Sequence, residues 1–271
     1  MTERIRAKKS LGQHWLADRG AVEKVVDAAG LTGKETVVEV GAGPGVLTPL
    51  LAERAKRVIA VELDRTLIPK LEKAVAGHDN VEIRQADILD VDSAELRKDL
   101  GPYHVVGNVP YYITSKIIRH FLETPDRPVS MTLTIQAEVA ERICALPPKM
   151  SVLAVSVQLY GKPRIAGRIP AKAFRPPPDV DSAILRIEDI AQSESDLDRT
   201  LDGVSASAVF SFVRAGFSEK RKQLHNTLAR NLNLSHEQAN ALLREAAIDP
   251  NRRAETLSVE DWVTLARQAI R

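Results

Sequence analysis

The chain has 271 residues, 44% of them hydrophobic and 27% charged, the balance of a globular protein long enough to bury a core. A formal net charge of +2 excludes a uniformly basic protein but leaves room for local basic patches. The single cysteine, Cys144, excludes an internal disulfide, and no apolar run approaches a membrane span, so a reducing, cytoplasmic setting is expected.

The opening "MTERIRAKKS" carries a basic cluster and no apolar signal core. From there to about residue 190, strand and helix patterns alternate. "TVVEV" (36–40), "RVIAVEL" (57–63), "VEIRQAD" (81–87), "YHVVGN" (103–108) and "VSMTLTIQ" (129–136) read as short buried strands. Helical patterns lie between them: "VLTPLLAERA", a segment carrying Leu67, Leu71 and Val75, and one across Ser115–Leu122. This alternation predicts an α/β fold, a parallel sheet covered on both faces. The acidic, polar "EDIAQSESDLDRTLDG" (188–203) reads as a linker, and past residue 200 only helical patterns remain. Ser235 with Gln238 has capping-box spacing, and Ser258 with Asp261 is close to it. Two domains are expected: an α/β domain over 1–190 and a small all-helical domain over 191–271.

The first strand runs into "VGAGPGVL", where Gly41, Gly43 and Gly45 let the backbone turn sharply and approach a ligand. Such a turn sits at the carboxyl ends of the strands, where nucleotide-like ligands bind. Glu62 ends the second strand, placed to accept hydrogen bonds from ribose hydroxyls, and Asp87 ends the third, placed to accept from an adenine amine. A dinucleotide site is disfavoured, because the G-x-G-x-x-G pattern started at Gly41 meets Val46 where its third glycine belongs. Glu39 would also put negative charge near a pyrophosphate, whereas it suits a ligand with an ammonium or sulfonium end. S-adenosylmethionine fits this set. The fourth strand ends in "GNVPYY", and Asn108, Pro110, Tyr111 and Tyr112 would suit a flat object bearing hydrogen-bond donors.

Several stretches together resemble the class I methyltransferases of the ribosomal RNA adenine-N6 dimethyltransferase family. They are "KKSLGQHWL" (8–16), "VEVGAGPGVLT" (38–48), "VELD" (61–64), "QADIL" (85–89), "GNVPYY" (107–112), "FRPPPDVDSA" (174–183) and "FSEKRKQLHNTL" (217–228). The likeness spans nearly the whole chain and is strongest to the small-subunit branch. It implies a Rossmann-like methyltransferase domain followed by a helical RNA-recognition domain. It also implies S-adenosylmethionine as cofactor, with His14, Leu16, Gly41, Gly43, Glu62, Asp87 and Asn108 lining its site. Trp15 stands where the family commonly has phenylalanine, Val109 where it has leucine or isoleucine, and part of a loop near residues 146–150 is missing.

With adenine as the flat object, the Asn108 side-chain carbonyl and the Pro110 backbone carbonyl would each accept one N–H of the exocyclic amine. That would aim the nitrogen lone pair at the methyl group, so positioning does the work and no strong base is needed. Tyr111 and Phe174 would stack the two faces of a base taken out of its own stack. Ser218 is expected to cap a helix whose first turn holds Lys220, Arg221 and Lys222, a site for RNA phosphates. The resemblance implies dimethylation of two adjacent adenosines near the 3′ end of 16S rRNA, in the small ribosomal subunit or its precursor. A monomer acting without metal or membrane is expected. The rivals are a resistance-type methyltransferase of large-subunit RNA and a non-catalytic RNA-binding assembly or transcription factor.

Overall fold

The computed structural model describes residues 12–270, so the basic cluster within residues 1–11 lies outside the described residues. The chain divides into two compact units. The first takes the described residues up to Ala140 together with Lys162–Ile190; the second takes Glu141–Gly161 and the residues from Ala191 on. The sequence reading placed one boundary at 190; the segment 141–161, which it assigned to the α/β part, belongs with the second unit.

The first unit opens with a two-residue strand β1 (Trp15–Leu16) and helix α1 (Arg19–Ala28), whose N-cap Asp18 accepts from the Ala21 amide at 2.8 Å. Strands β2 (Thr36–Val40), β3 (Arg57–Glu62), β4 (Val81–Gln85), β5 (Tyr103–Asn108) and β6 (Ser130–Gln136) follow. Between them run α2 (Thr48–Arg54), α3 (Ile68–Ala74), α4 (Ser93–Leu100) and α5 (Thr114–Leu122). β2 to β6 pair in parallel, as the β-branched, mostly buried runs of β2, β3, β5 and β6 lead one to expect; β4, at the sheet edge, is only partly buried. Helix α6 (Ala137–Ile143) leads into the second unit, and the chain returns through β7 (Lys162–Ile169), β8 (Phe174–Arg175) and β9 (Ser182–Glu188).

The sheet order is β4-β3-β2-β5-β6-β9-β7, with β9 and β7 antiparallel to their neighbours. The architecture is a Rossmann-like α/β sheet, as expected, but mixed instead of purely parallel. The order reverses between β2 and β5: the chain first adds strands on one side of β2, then crosses to the other. A crevice opens at the carboxyl ends of strands at such a reversal. β1 and β8 form a separate antiparallel ribbon, Trp15 opposite Arg175 and Leu16 opposite Phe174.

The second unit is helical: α7 (Val152–Gln158), α8 (Glu194–Thr200), α9 (Ala206–Gly216), α10 (Leu224–Asn231), α11 (His236–Glu245) and α12 (Val259–Gln268). Both capping boxes form, Ser235 with Gln238 and Ser258 with Asp261. Fully buried Trp262 packs its indole onto Gly216 and lies 5.8 Å from the Phe217 ring. Two expectations fail here. The supposed linker contains α8, capped by Ser193, whose hydroxyl accepts from the Asp196 amide. Ser218 caps nothing: its hydroxyl donates to the Ala215 carbonyl at 2.7 Å, and α10 begins only at Leu224. Lys220, Arg221 and Lys222 therefore lie in the turn preceding α10, not in its first turn.

Candidate active site

The crevice beside β2 and β5 holds a cavity of about 810 Å³, counting its open mouth. Its floor is built from the ends of consecutive parallel strands: Val40 to Gly43 after β2, Val61 to Leu63 at β3, Ala86 to Ile88 after β4, and Asn108 to Ile113 after β5. Gly12 to Trp15 close one side. Gly41 (φ +70°) and Gly43 (φ +59°) adopt the left-handed conformation that favours glycine. A Cβ on Gly43 would stand 3.1 Å from the Trp15 indole nitrogen, so the indole would have to give way to one.

Glu62 is the electrostatic centre of this turn. One carboxylate oxygen accepts from the Gly43 amide and the other from the Asp64 amide, both at 2.7 Å. Burial pushes its carboxyl above the usual range, against the pull of those two amides. Each oxygen keeps an acceptor position beyond the bond it makes. Asp87 caps a 3-10 turn (Ile88–Asp90) through one oxygen, accepting from the Leu89 amide at 3.0 Å. Leu63, nearly half exposed, and Ile88 supply apolar surface between these acids. Two acids with spare acceptor positions, apolar walls and an exposed glycine backbone fit an adenosine-bearing cofactor.

Asn108 ends β5 with its amide already oriented. Its Nδ2 donates to the His14 carbonyl at 2.7 Å, which leaves Oδ1 as the free acceptor. The Pro110 carbonyl accepts from the Ile113 amide at 3.2 Å and lies 3.4 Å from the Thr114 hydroxyl, so the turn engages one of its two lone pairs. Val109, itself buried, also lines the cavity. Tyr111 is fixed by a 2.6 Å bond between its hydroxyl and that of Ser182, a fully buried residue of β9. Burial raises its phenol pKa. The His14 ring lies nearly parallel to Tyr111, 17° between planes and 6.0 Å between centroids, and its Nδ1 donates to the Pro176 carbonyl at 2.9 Å.

The structure brings His14, Gly41, Gly43, Glu62, Asp87, Asn108, Pro110 and Tyr111 around one cavity. It does not bring Phe174 or Leu16 there. The β1–β8 pairing turns both side chains inward, and they pack in the core with Ile169, Ala173 and Ile184, Phe174 with no exposure at all. Glu39 is also absent from the lining. It is sealed within β2, where burial and the neighbouring Glu62 push its carboxyl up to about 8. The Thr48 hydroxyl beside it pulls the other way, although it and Glu39 Oε2 fall short of full hydrogen-bond geometry. Sequence reading overlooked Gln13, which donates to Asp64 at 3.2 Å, and Ser182. The quoted "GQHWL" and "DVDSA" contained both residues, without any local sign of their distant partners.

A switch-point crevice with paired acids on adjacent strands and an amide–tyrosine pocket beside them defines a class I methyltransferase. The model of the family described as ribosomal RNA adenine dimethylase matches residues 4–270. The chain belongs to that family, whose members are S-adenosylmethionine-dependent enzymes. It is 44% identical over 261 residues to ribosomal RNA small subunit methyltransferase A of Dehalococcoides mccartyi, covering 96% of this chain and 88% of that one. It is 36% identical over 271 residues to the protein of that name from Alkaliphilus metalliredigens, covering 98% and 92%. Among solved structures, the 23S rRNA methyltransferase ErmE is similar with a TM-score of 0.74 at 26% identity, over 95% of this chain and all of that one. A dimethyladenosine transferase from Plasmodium falciparum shares the fold with a TM-score of 0.76 at 24% identity, over 92% and 95%.

Proposed function

We infer that this enzyme transfers two methyl groups to the N6 amine of each of two adjacent adenosines near the 3′ end of 16S rRNA, within the small ribosomal subunit or its precursor. The observation that carries the chemistry is the Asn108 amide, pinned by His14 so that its carbonyl faces the cavity. S-adenosylmethionine, when bound, supplies a methyl group activated on a cationic sulfur. Glu62 holds the ribose through its spare acceptor positions, Asp87 takes the adenine amine, and the Gly41–Gly43 backbone lies along the amino-acid end. His14 closes the same side.

The target amine is a weak nucleophile because its lone pair is delocalised into the ring. Asn108 Oδ1 accepts one N–H. The Pro110 backbone carbonyl, which the Ile113 amide engages through one of its two lone pairs, accepts the second. Both acceptors favour a more tetrahedral nitrogen, and positioning supplies the rate. Tyr111 offers one face for the base, held square by Ser182. Phe174 is buried in the core, so no ring is assigned to the base's other face. The charged product amine loses its proton to water, so no carboxylate base is required.

Lys220, Arg221 and Lys222 are assigned to RNA phosphates. All three are exposed, and the nearby cation Arg230 is already paired with Glu219 at 2.8 Å. The small-subunit preference rests on the named relatives; an enzyme active on bacterial-type ribosomes works in the cytoplasm. The test is to offer labelled cofactor with unmodified small and large ribosomal particles together, then map the modified bases. Label confined to two neighbouring N6,N6-dimethyladenosines of the small-subunit RNA supports the reading. Label on large-subunit RNA, or none on either, contradicts it.

A further inference from the structure

Tyr112 follows Tyr111 directly, yet the two rings are treated differently by the fold. Tyr111 is half-buried and tied to Ser182. Tyr112 lines the mouth of the same cavity but is 61% exposed, and its hydroxyl has no partner among the described residues. Its ring is nonetheless seated. Gly12, with φ +57°, lies against the ring edge, and a Cβ there would stand 3.2 Å from Cδ1 and Cε1, closer than ordinary contact. The segment closing the cavity thus carries a glycine where it meets an exposed ring.

Taking a base out of its stack leaves its neighbour with one bare face, a loss of a few kcal/mol for the RNA. A rigid, water-exposed ring beside the methylation pocket can replace that lost partner, and stacking of this kind tolerates any base. The backbone supplies a second element. The 3-10 turn Tyr111–Ile113 runs straight into α5, so Lys116 follows Tyr112 by about one turn. Lys116 is exposed and unpaired among the described residues, whereas Arg119 on the same helix is held by Glu123 at 2.8 Å.

We propose that Tyr112 is a stacking platform for the nucleotide flanking the target adenosine, with Lys116 receiving that nucleotide's phosphate. This rests on the reading of an adenosine taken out of its stack in small-subunit rRNA as substrate. It assigns a second base subsite outside the methylation pocket.

The probes are two single-stranded oligoribonucleotides carrying 2-aminopurine immediately 5′ or immediately 3′ of the target adenosine. Wild-type full-length protein is expected to quench one of them on binding. Tyr112→Leu should lose that quench and bind about 5- to 150-fold more weakly, the span of one base–aromatic stack. Tyr112→Trp should keep both the quench and the affinity. Lys116→Ala should reduce the salt slope of binding by about 0.7, one phosphate of a single strand. Cofactor affinity should be the same in Lys116→Ala. Wild-type affinity and quench in Tyr112→Leu overturn the proposal. So does failure of the wild type to bind either probe while it methylates ribosomal particles. Failure to methylate any particle overturns the functional reading itself.

Discussion

The side-chain amide of Asn108 donates to the backbone carbonyl of His14 at 2.7 Å, across 94 residues of sequence. This bond settles which way the amide faces. A carboxylate of the same shape could not donate, and would face the carbonyl with a charge. Asn108→Asp should therefore lose orientation as well as neutrality. Its turnover should drop by about 5- to 150-fold or more, the equivalent of roughly 1–3 kcal/mol for a buried group left unpaired. Thermal unfolding should show the variant folded, and single-turnover rates should show the defect.

Glu62 does two things at once. It accepts from the Gly43 and Asp64 amides, and it offers its remaining acceptor positions to the cavity. Glu62→Ala should weaken S-adenosylmethionine binding by about 1.5–3 kcal/mol, the range for hydrogen bonds to a charged group. It should also lower the melting temperature, because two buried amides lose their acceptor. Calorimetric titration and a thermal melt read the two effects separately. Unchanged affinity in a folded variant would remove Glu62 from the cofactor site.

Glu39 makes the free protein sensitive to pH. Its carboxyl is raised from an ordinary 4.5 to about 8 by burial, so the folded state binds a proton that the unfolded state has released. A raised pKa contributes stability that is fully present below about 4.5 and is lost as pH rises toward about 8. Glu62 is raised in the same sense. Glu39→Gln should flatten this dependence and melt at a higher temperature than wild type near pH 8, with little difference near pH 4.5. Melting curves across that window check it; parallel curves for the two proteins would contradict it.

Gly107 of β5 stands opposite Val40 of β2. A Cβ there would fall 2.5 Å from the Val40 carbonyl oxygen, which as backbone cannot turn aside. Gly107→Ala should cost about 1–3 kcal/mol through overpacking. It should also displace the neighbouring Asn108, so turnover falls together with melting temperature.

Much of this site was legible because it lies on local pattern. Apolar, β-branched runs mark β2 to β6, and the glycines, Glu62, Asp87 and Asn108 stand at their carboxyl ends. The edge strand β7 and its inner neighbour β9 escaped notice because Arg164, Arg168 and Arg186 interrupt their apolar pattern. The placement of Phe174 and Leu16 depends on the β1–β8 pairing, a contact between distant segments that no local spacing announces. Ser218 has the look of a cap, but a remote contact defines the start of α10: the Leu224 amide donates to the Arg252 carbonyl at 2.8 Å.

That correction sharpens the expectation for the basic turn. Reversing Lys220, Arg221 and Lys222 to glutamate alters no helical position, so the fold should stand and cofactor affinity should be unchanged. Affinity for the ribosomal particle should fall, and its salt slope should become shallower by about 2–3 if all three meet phosphates. Binding isotherms at several salt concentrations decide it. Parallel slopes with equal affinities would show an ordinary solvated face.

The most direct test of the account is the single-turnover rate of methyl transfer to unmodified small-subunit particles by wild type and Asn108→Ala, each saturated with cofactor. If Asn108 orients the amine, the variant should be slower by about 100-fold or more, the scale for losing a preorganised polar contact in the transition state. Its cofactor affinity should stay within a few-fold of wild type. A wild-type rate in the variant would contradict the account at its centre.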